Sequence, residues 1–146
     1  MIKNVVVLLL GMVAFVGAQV PGIIYQPKPS RYHVHVANGL STLPLTVHCQ
    51  SKDDDLGIHH LPNRGDEFQW NFKVNFWGTT LFWCRLERPD AYVAFETFWP
   101  ESKNTWLRER CRNGTQGTCL WIAKDDGIYL FNFPANNDEL IHKWIF

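Results

Sequence analysis

An excess of either charge is missing from this chain of 146 residues, in which 14 Lys and Arg stand against 14 Asp and Glu. Without the apolar leader described below, which carries Lys3, thirteen basic residues face fourteen acidic ones. A balance so close to zero gives no electrostatic basis for gripping nucleic acid or an anionic membrane. The basic cluster LRERCR, with Arg108, Arg110 and Arg112, is interrupted by Glu109 and reads as a solvated edge or contact patch. Close cysteine pairs of the CxxC kind are missing too, which removes the usual thiolate zinc site. No serine sits in a GxSxG setting, so a nucleophile elbow is excluded. No long helical period appears, and there is no internal repeat or low-complexity segment.

Long apolar runs are scarce. One exists, VVVLLLGMVAFVGA, ending at Ala18 after a short stretch that carries Lys3. It falls short of the ~20 residues of a comfortable membrane span. Val16 and Ala18 occupy the −3 and −1 positions of a signal-peptidase site, with Gln19 next. Residues 1–18 are therefore expected to be a secretory signal peptide, with no membrane insertion of the mature protein. Residues 19–30 hold Pro21, Pro27 and Pro29 and read as an extended arm. Residues 31–146 have the size of a single domain.

Export gives meaning to the four cysteines, Cys49, Cys84, Cys111 and Cys119. An even number in a secreted chain indicates two disulfides, and three pairings are open. The pairing preferred here is Cys49–Cys119 with Cys84–Cys111. Cys49 and Cys119 each share a strand face with apolar residues, and a bridge between them would close a loop worth about 4 kcal/mol. Asn113-Gly114-Thr115 is a glycosylation sequon in a turn-rich stretch.

What is abundant is strand pattern. In EFQWNFKVNF (67–76), Phe68, Trp70, Phe72, Val74 and Phe76 alternate with polar residues, one face buried and one wet. RYHVHVA (31–37), LPLTVHCQ (43–50), TTLFWCRL (79–86), AYVAFETFW (91–99), TCLWIAK (118–124), GIYLFNF (127–133) and ELIHKWIF (139–146) extend the theme. Trp77-Gly78 reads as a hairpin turn. The expected fold is all-β: a small antiparallel β-sandwich of about seven or eight strands.

The stretch HCQSKDDDLGIHHL (48–61) concentrates polar chemistry. Asp53, Asp54 and Asp55 suit a turn, because aspartate accepts hydrogen bonds from nearby backbone amides, and Gly57 permits positive φ. The stretch does not follow the loop grammar of an EF-hand calcium site, since Arg64 stands where the late Glu belongs. His48 and Cys49 point to opposite faces of a strand, as would His59 and His60 in an extended segment. His33 and His35 share a face, but two ligands do not make a zinc site. No catalytic residue, metal ligand or cofactor is assigned.

Three blocks together resemble the plant self-incompatibility S-protein family: LTVHCQSKDDDLGIHHL, FQWNFKVNFWGTTLFWCRL and CLWIAKDDGIYL. Within them Thr80, Phe82 and Cys84, then Cys119, Trp121, Asp126, Gly127, Ile128 and Tyr129, match the family pattern, as does Asn38-Gly39-Leu40 further upstream. The resemblance implies a secreted, non-enzymatic β-sandwich with two disulfides. Its best-understood members look like stigma-secreted ligands that bind a receptor on incompatible pollen. The resemblance therefore implies an unidentified cell-surface receptor protein as partner, in pollen rejection or another cell–cell signal. The alternative is a cell-wall protein that binds carbohydrate on aromatic faces such as Trp77 and Trp83.

Overall fold

The computed structural model describes residues 28–146. The leader 1–18 and all but the last three residues of the arm 19–30 lie outside the described residues. Ten strands follow: β1 (Arg31–Asn38), β2 (Leu45–Gln50), β3 (Asp55–Leu61), β4 (Glu67–Lys73), β5 (Phe82–Arg88), β6 (Ala91–Phe98), β7 (Arg112–Asn113), β8 (Gln116–Lys124), β9 (Gly127–Asn132) and β10 (Asn137–His142). A single turn of helix, α1 (Trp106–Arg110), sits between β6 and β7.

One sheet runs β10-β9-β8-β1-β4, with β7 paired to β8; the other runs β3-β2-β5-β6. The all-β sandwich is as expected, with more and shorter strands and one departure from antiparallel order. β1 runs parallel to β8, from Tyr32 opposite Gly117 to Asn38 opposite Ala123. The chain returns to the first strand only after visiting both sheets, so the direction of this pair is a matter of connectivity that side-chain pattern does not encode.

Alternation places the core. Val34 and Val36 of β1, Val47 of β2, Leu86 of β5, Trp121 of β8 and Leu130 of β9 are sealed from solvent. Trp121 crosses the interior and donates its indole N–H to the Thr97 carbonyl, 3.0 Å away on β6. That bond satisfies a polar group that would otherwise be expensive to bury. Phe72 of β4 lies 4.6 Å from Phe82 and 4.7 Å from Phe98 by ring centroids. Such offset and edge contacts add ~0.5–1.5 kcal/mol each beyond area burial, so β4 is clamped to the opposite sheet by its aromatic face.

The preferred disulfide pairing is overturned. Cys49 bridges Cys84, and Cys111 bridges Cys119. Cys49 and Cys84 lie directly opposite on β2 and β5, neighbours in one sheet, with Cα atoms 4.0 Å apart. Facing sheets stack ~10 Å apart, beyond the usual ~4.4–6.8 Å of a bridge. Cys119 lies on β8 in the other sheet, whereas Cys84 is the residue directly opposite Cys49 on a hydrogen-bonded neighbour. Loop length was a weak guide, because doubling a loop changes its closure term by only ~0.6 kcal/mol.

Two further expectations change. Asp55, placed with Asp53 and Asp54 in a turn, instead opens the strand β3, which pairs with β2. The strand read over 67–76 ends at Lys73, and Trp77-Gly78 is no hairpin turn, because β4 and β5 belong to different sheets.

Candidate functional site

The crossing from β4 to β5 forms the most unusual surface. Phe76 is 93% exposed and Trp77 79%. The alternation of β4 had assigned Phe76 to the interior. The strand ends three residues earlier, at Lys73, and local hydrogen bonds define a different path. Asn75 organises it. Its Oδ1 accepts from the Thr79 amide at 2.9 Å, its Nδ2 donates to Thr79 Oγ1 at 2.8 Å, and its own amide donates to Thr80 Oγ1 at 2.9 Å. Ser102, from the β6–α1 connection, donates to the Gly78 carbonyl at 2.7 Å. The loop is therefore fixed by polar bonds while two large rings, edge to face at 5.4 Å, point to water.

Beneath the loop lies a cleft of about 500 Å³, walled by Phe76, Trp77, Trp99, Glu101 and Arg108 among others. Trp99 donates its indole N–H to Asn104 Oδ1 at 2.9 Å and stacks on Trp106 with centroids 6.0 Å apart. Glu101 is held between Lys28 and Arg108. The hydrogen bond from Lys28, then that from Arg108, lowers its pKa against the opposing pull of burial. Glu101 is thus paired with both cations of the cleft, and the rest of what it offers outward is aromatic surface with polar edges. The signal in sequence was Asn75 followed by Gly78-Thr79-Thr80, a set whose side chains compete with strand pairing for the backbone.

The aspartate stretch lies elsewhere, at the β2–β3 turn. The Ser51 amide donates to the Asp54 carbonyl at 2.7 Å, and the Asp54 amide donates to Ser51 Oγ at 3.1 Å. Asp53 is exposed in this turn. Asp55 Oδ1 accepts from the Gly57 amide at 2.9 Å and lies 2.7 Å from His48 Nε2. The amide bond, then the imidazole, lowers the Asp55 pKa. Gly57 has φ of 83°, in the left-handed region.

The histidines are dispersed. His35 pairs with Glu67 at 3.0 Å, His59 stacks on Phe68 at 3.7 Å, and His60 meets Thr46 at 3.2 Å. Among the described residues no cluster of three or more His, Cys, Asp or Glu is arranged to hold a metal. Of the basic cluster, Arg108 turns to Glu101 and Arg110 to Glu139 at 2.7 Å. Trp83 is half-buried on the outer face of its sheet, whereas Asn113 is exposed at the β7–β8 turn.

A fold of two disulfide-tied sheets with Asn38-Gly39-Leu40 at one corner and the aspartate turn at another defines the S-protein class of β-sandwich. Comparison with known proteins assigns the chain within it. Residues 33–144 match the family "Plant self-incompatibility protein S1", and the chain belongs to that family. It is 41% identical over 122 residues to S-protein homolog 74 of Arabidopsis thaliana, spanning 83% of this chain and 76% of the relative. Identity to S-protein homolog 1 of the same plant is 39% over 130 residues, 88% of this chain and 82% of the relative. A solved self-incompatibility protein homologue, from a family described as small, highly stable, secreted plant proteins, shares the fold. Its TM-score is 0.59 at 19% identity, over 80% of this chain and 96% of the other.

Proposed function

We propose that this protein is a non-enzymatic signalling ligand that binds a cell-surface receptor protein through the Phe76–Trp77 loop and the cleft below it. One observation carries the reading: a loop ordered by its own hydrogen bonds holds two large aromatic rings in solvent. Burying such a ring against a partner releases about 1.5–3 kcal/mol, and Trp is enriched among residues that dominate interfaces. Binding by this surface needs no cofactor and no reactive group. The cysteines are joined in bridges and the cleft's carboxylate, Glu101, is held by two cations. Family membership supports a role in pollen rejection or another signal between cells. The mature ligand begins at Gln19, after removal of residues 1–18 in the secretory pathway.

A second reading rests on the same cleft. Trp77 and Trp99 beside Asn75 and Ser102 combine ring faces with polar edges, a combination that also suits cell-wall carbohydrate. The deciding experiment compares labelled wild type with Phe76→Ala/Trp77→Ala on plant-cell membranes and on insoluble wall polysaccharide. Saturable membrane binding that falls at least ~30-fold in the variant, equivalent to ~2 kcal/mol, supports the receptor reading. Equal membrane binding by both proteins removes the loop from it. Retention on polysaccharide alone, lost in the variant, favours carbohydrate. N-terminal sequencing of the secreted protein checks the Gln19 start.

A further inference from the structure

The hairpin that carries Asn113 stands beside a second, smaller cleft. Asn113, Gly114, Phe133 and Pro134 wall a space of about 330 Å³, at the lower end of the ~300–1,000 Å³ that small ligands occupy. Both walls are fixed. The hairpin is pinned by the Cys111–Cys119 bridge, by pairing of Asn113 with Gln116, and by the bond from the Thr118 amide to the Cys111 carbonyl at 2.8 Å. The facing wall is tied to the hairpin's base, where the Phe133 amide donates to the Arg110 carbonyl at 3.0 Å. The Phe133 ring meets Phe131 edge-on at 4.8 Å and is left half-exposed on the cleft. Asn113 and Thr115, the two residues that a glycosylating enzyme reads, are exposed.

We infer that Asn113 carries an N-linked glycan whose first sugar is seated in this cleft against Phe133 and Pro134. The secretory route supplies the co-reactant, a polyprenyl-pyrophosphate-linked oligosaccharide. An N–H bond of the Asn113 amide breaks, as does the bond from the sugar's anomeric carbon to pyrophosphate. A bond forms from Nδ2 to that carbon, and polyprenyl pyrophosphate leaves as the proton is lost to base. Once attached, the sugar's linkage atom is held within the walls of the cleft. Its apolar C–H face covers aromatic and proline surface that water otherwise wets. The glycan thus acts as a cover for the apolar rim of the hairpin, independently of whatever binds the Phe76–Trp77 loop.

The experiment uses the full chain secreted from plant cells. Peptide mass mapping is expected to find N-acetylhexosamine on Asn113 and none in Thr115→Ala. The glycosylated protein is expected to melt about 2–4 °C above Thr115→Ala, the shift given by a small stabilisation in a domain of this size. The same pair of proteins made without a glycosylation pathway subtracts the substitution's own effect. In Phe133→Ala the glycan is expected to remain while the melting gap disappears and an endoglycosidase trims it faster. Phe133→Leu, which keeps the bulk and removes the ring, replaces that variant if it fails to fold. An unmodified Asn113 in the secreted protein would overturn the inference. So would a gap that persists undiminished without the Phe133 ring, since the sugar would then be acting elsewhere.

Discussion

Two corners of the molecule begin with the same residue type and end in opposite ways. Asn38 closes β1 and is almost wholly buried; its Nδ2 donates to the carbonyls of Leu61 at 2.9 Å and Leu43 at 3.1 Å, and its Oδ1 accepts from the Leu40 amide at 2.9 Å. That set of bonds turns Leu40 into the core, where it is fully buried. Asn75 follows β4 and makes a comparable set of bonds, yet the residues after it, Phe76 and Trp77, face water. Side-chain capping fixes a path for the backbone in both places. Which way the apolar side chains then point depends on what lies across the gap. At Asn38 the neighbouring β8 comes so close that a Cβ on Gly39 would stand 2.7 Å from Ile122 Cγ2. At Asn75 no strand among the described residues covers the loop, and Phe76 and Trp77 stay exposed. An ordered apolar surface without an internal partner is the mark of an interface.

The disulfides bound this comparison from outside, and breaking them has the largest expected effect. Cys49→Ala/Cys84→Ala opens a separation of 35 residues and is expected to cost about 4 kcal/mol. Cys111→Ala/Cys119→Ala opens a separation of 8 and is expected to cost about 2.5 kcal/mol. Denaturant unfolding ranks the two, and a reversed order would show that loop-closure entropy is not what the bridges contribute.

Asn38→Ala strips partners from one amide and two carbonyls in a buried corner, for an expected loss of about 3 kcal/mol. Asn75→Ala removes bonds that water replaces, and about 1 kcal/mol is expected. Thermal melts of the pair test the distinction; similar losses would mean that the exposed loop is as integral to folding as the buried corner.

Acid acts unequally on the two corners, and its effect is smaller. Ser41, beside Leu40, donates its amide to Asp125 Oδ1 at 3.0 Å and its hydroxyl to Oδ2. These bonds, the hydroxyl's first, lower the Asp125 pKa. A carboxyl depressed in the folded state contributes stability that is full above its unfolded pKa of ~3.9 and is lost as pH falls through the folded value. The Ser41 amide resonance is therefore expected to shift as pH drops below ~4, while that of Thr79, bonded to the neutral Asn75, stays put. A parallel shift at both amides would contradict this assignment.

The smallest effect on stability is expected at the exposed rings. Phe76→Ala/Trp77→Ala should change unfolding free energy by no more than ~0.5 kcal/mol, even though the same change is expected to abolish partner binding. A clear loss of stability would show that the rings support the fold and would weaken their reading as a contact surface.

Much of the architecture was legible in the chain itself. Alternation in 31–37 and 118–124 matches the buried residues of β1 and β8 over those stretches, because a strand's two-residue period maps directly onto an inside and an outside. The sequon, the cysteine number and the turn chemistry of Ser51–Asp55 are local properties and were readable as such. Other features depended on neighbours that sequence distance does not reveal. Cys49 meets Cys84 because β2 and β5 are adjacent in one sheet. Phe76 is exposed because β4 ends early and its successor crosses to the other sheet. Phe133 faces Asn113 because the hairpin and the end of β9 pack together. Local pattern by itself determined most of the strands and which face of each is apolar, though not β3 or the end of β4, since both properties follow from backbone geometry and hydrophobicity. The tertiary structure alone decided the bridges, the exposed aromatic loop and the two clefts, since each is made by segments that become neighbours only when the sheets close on one another.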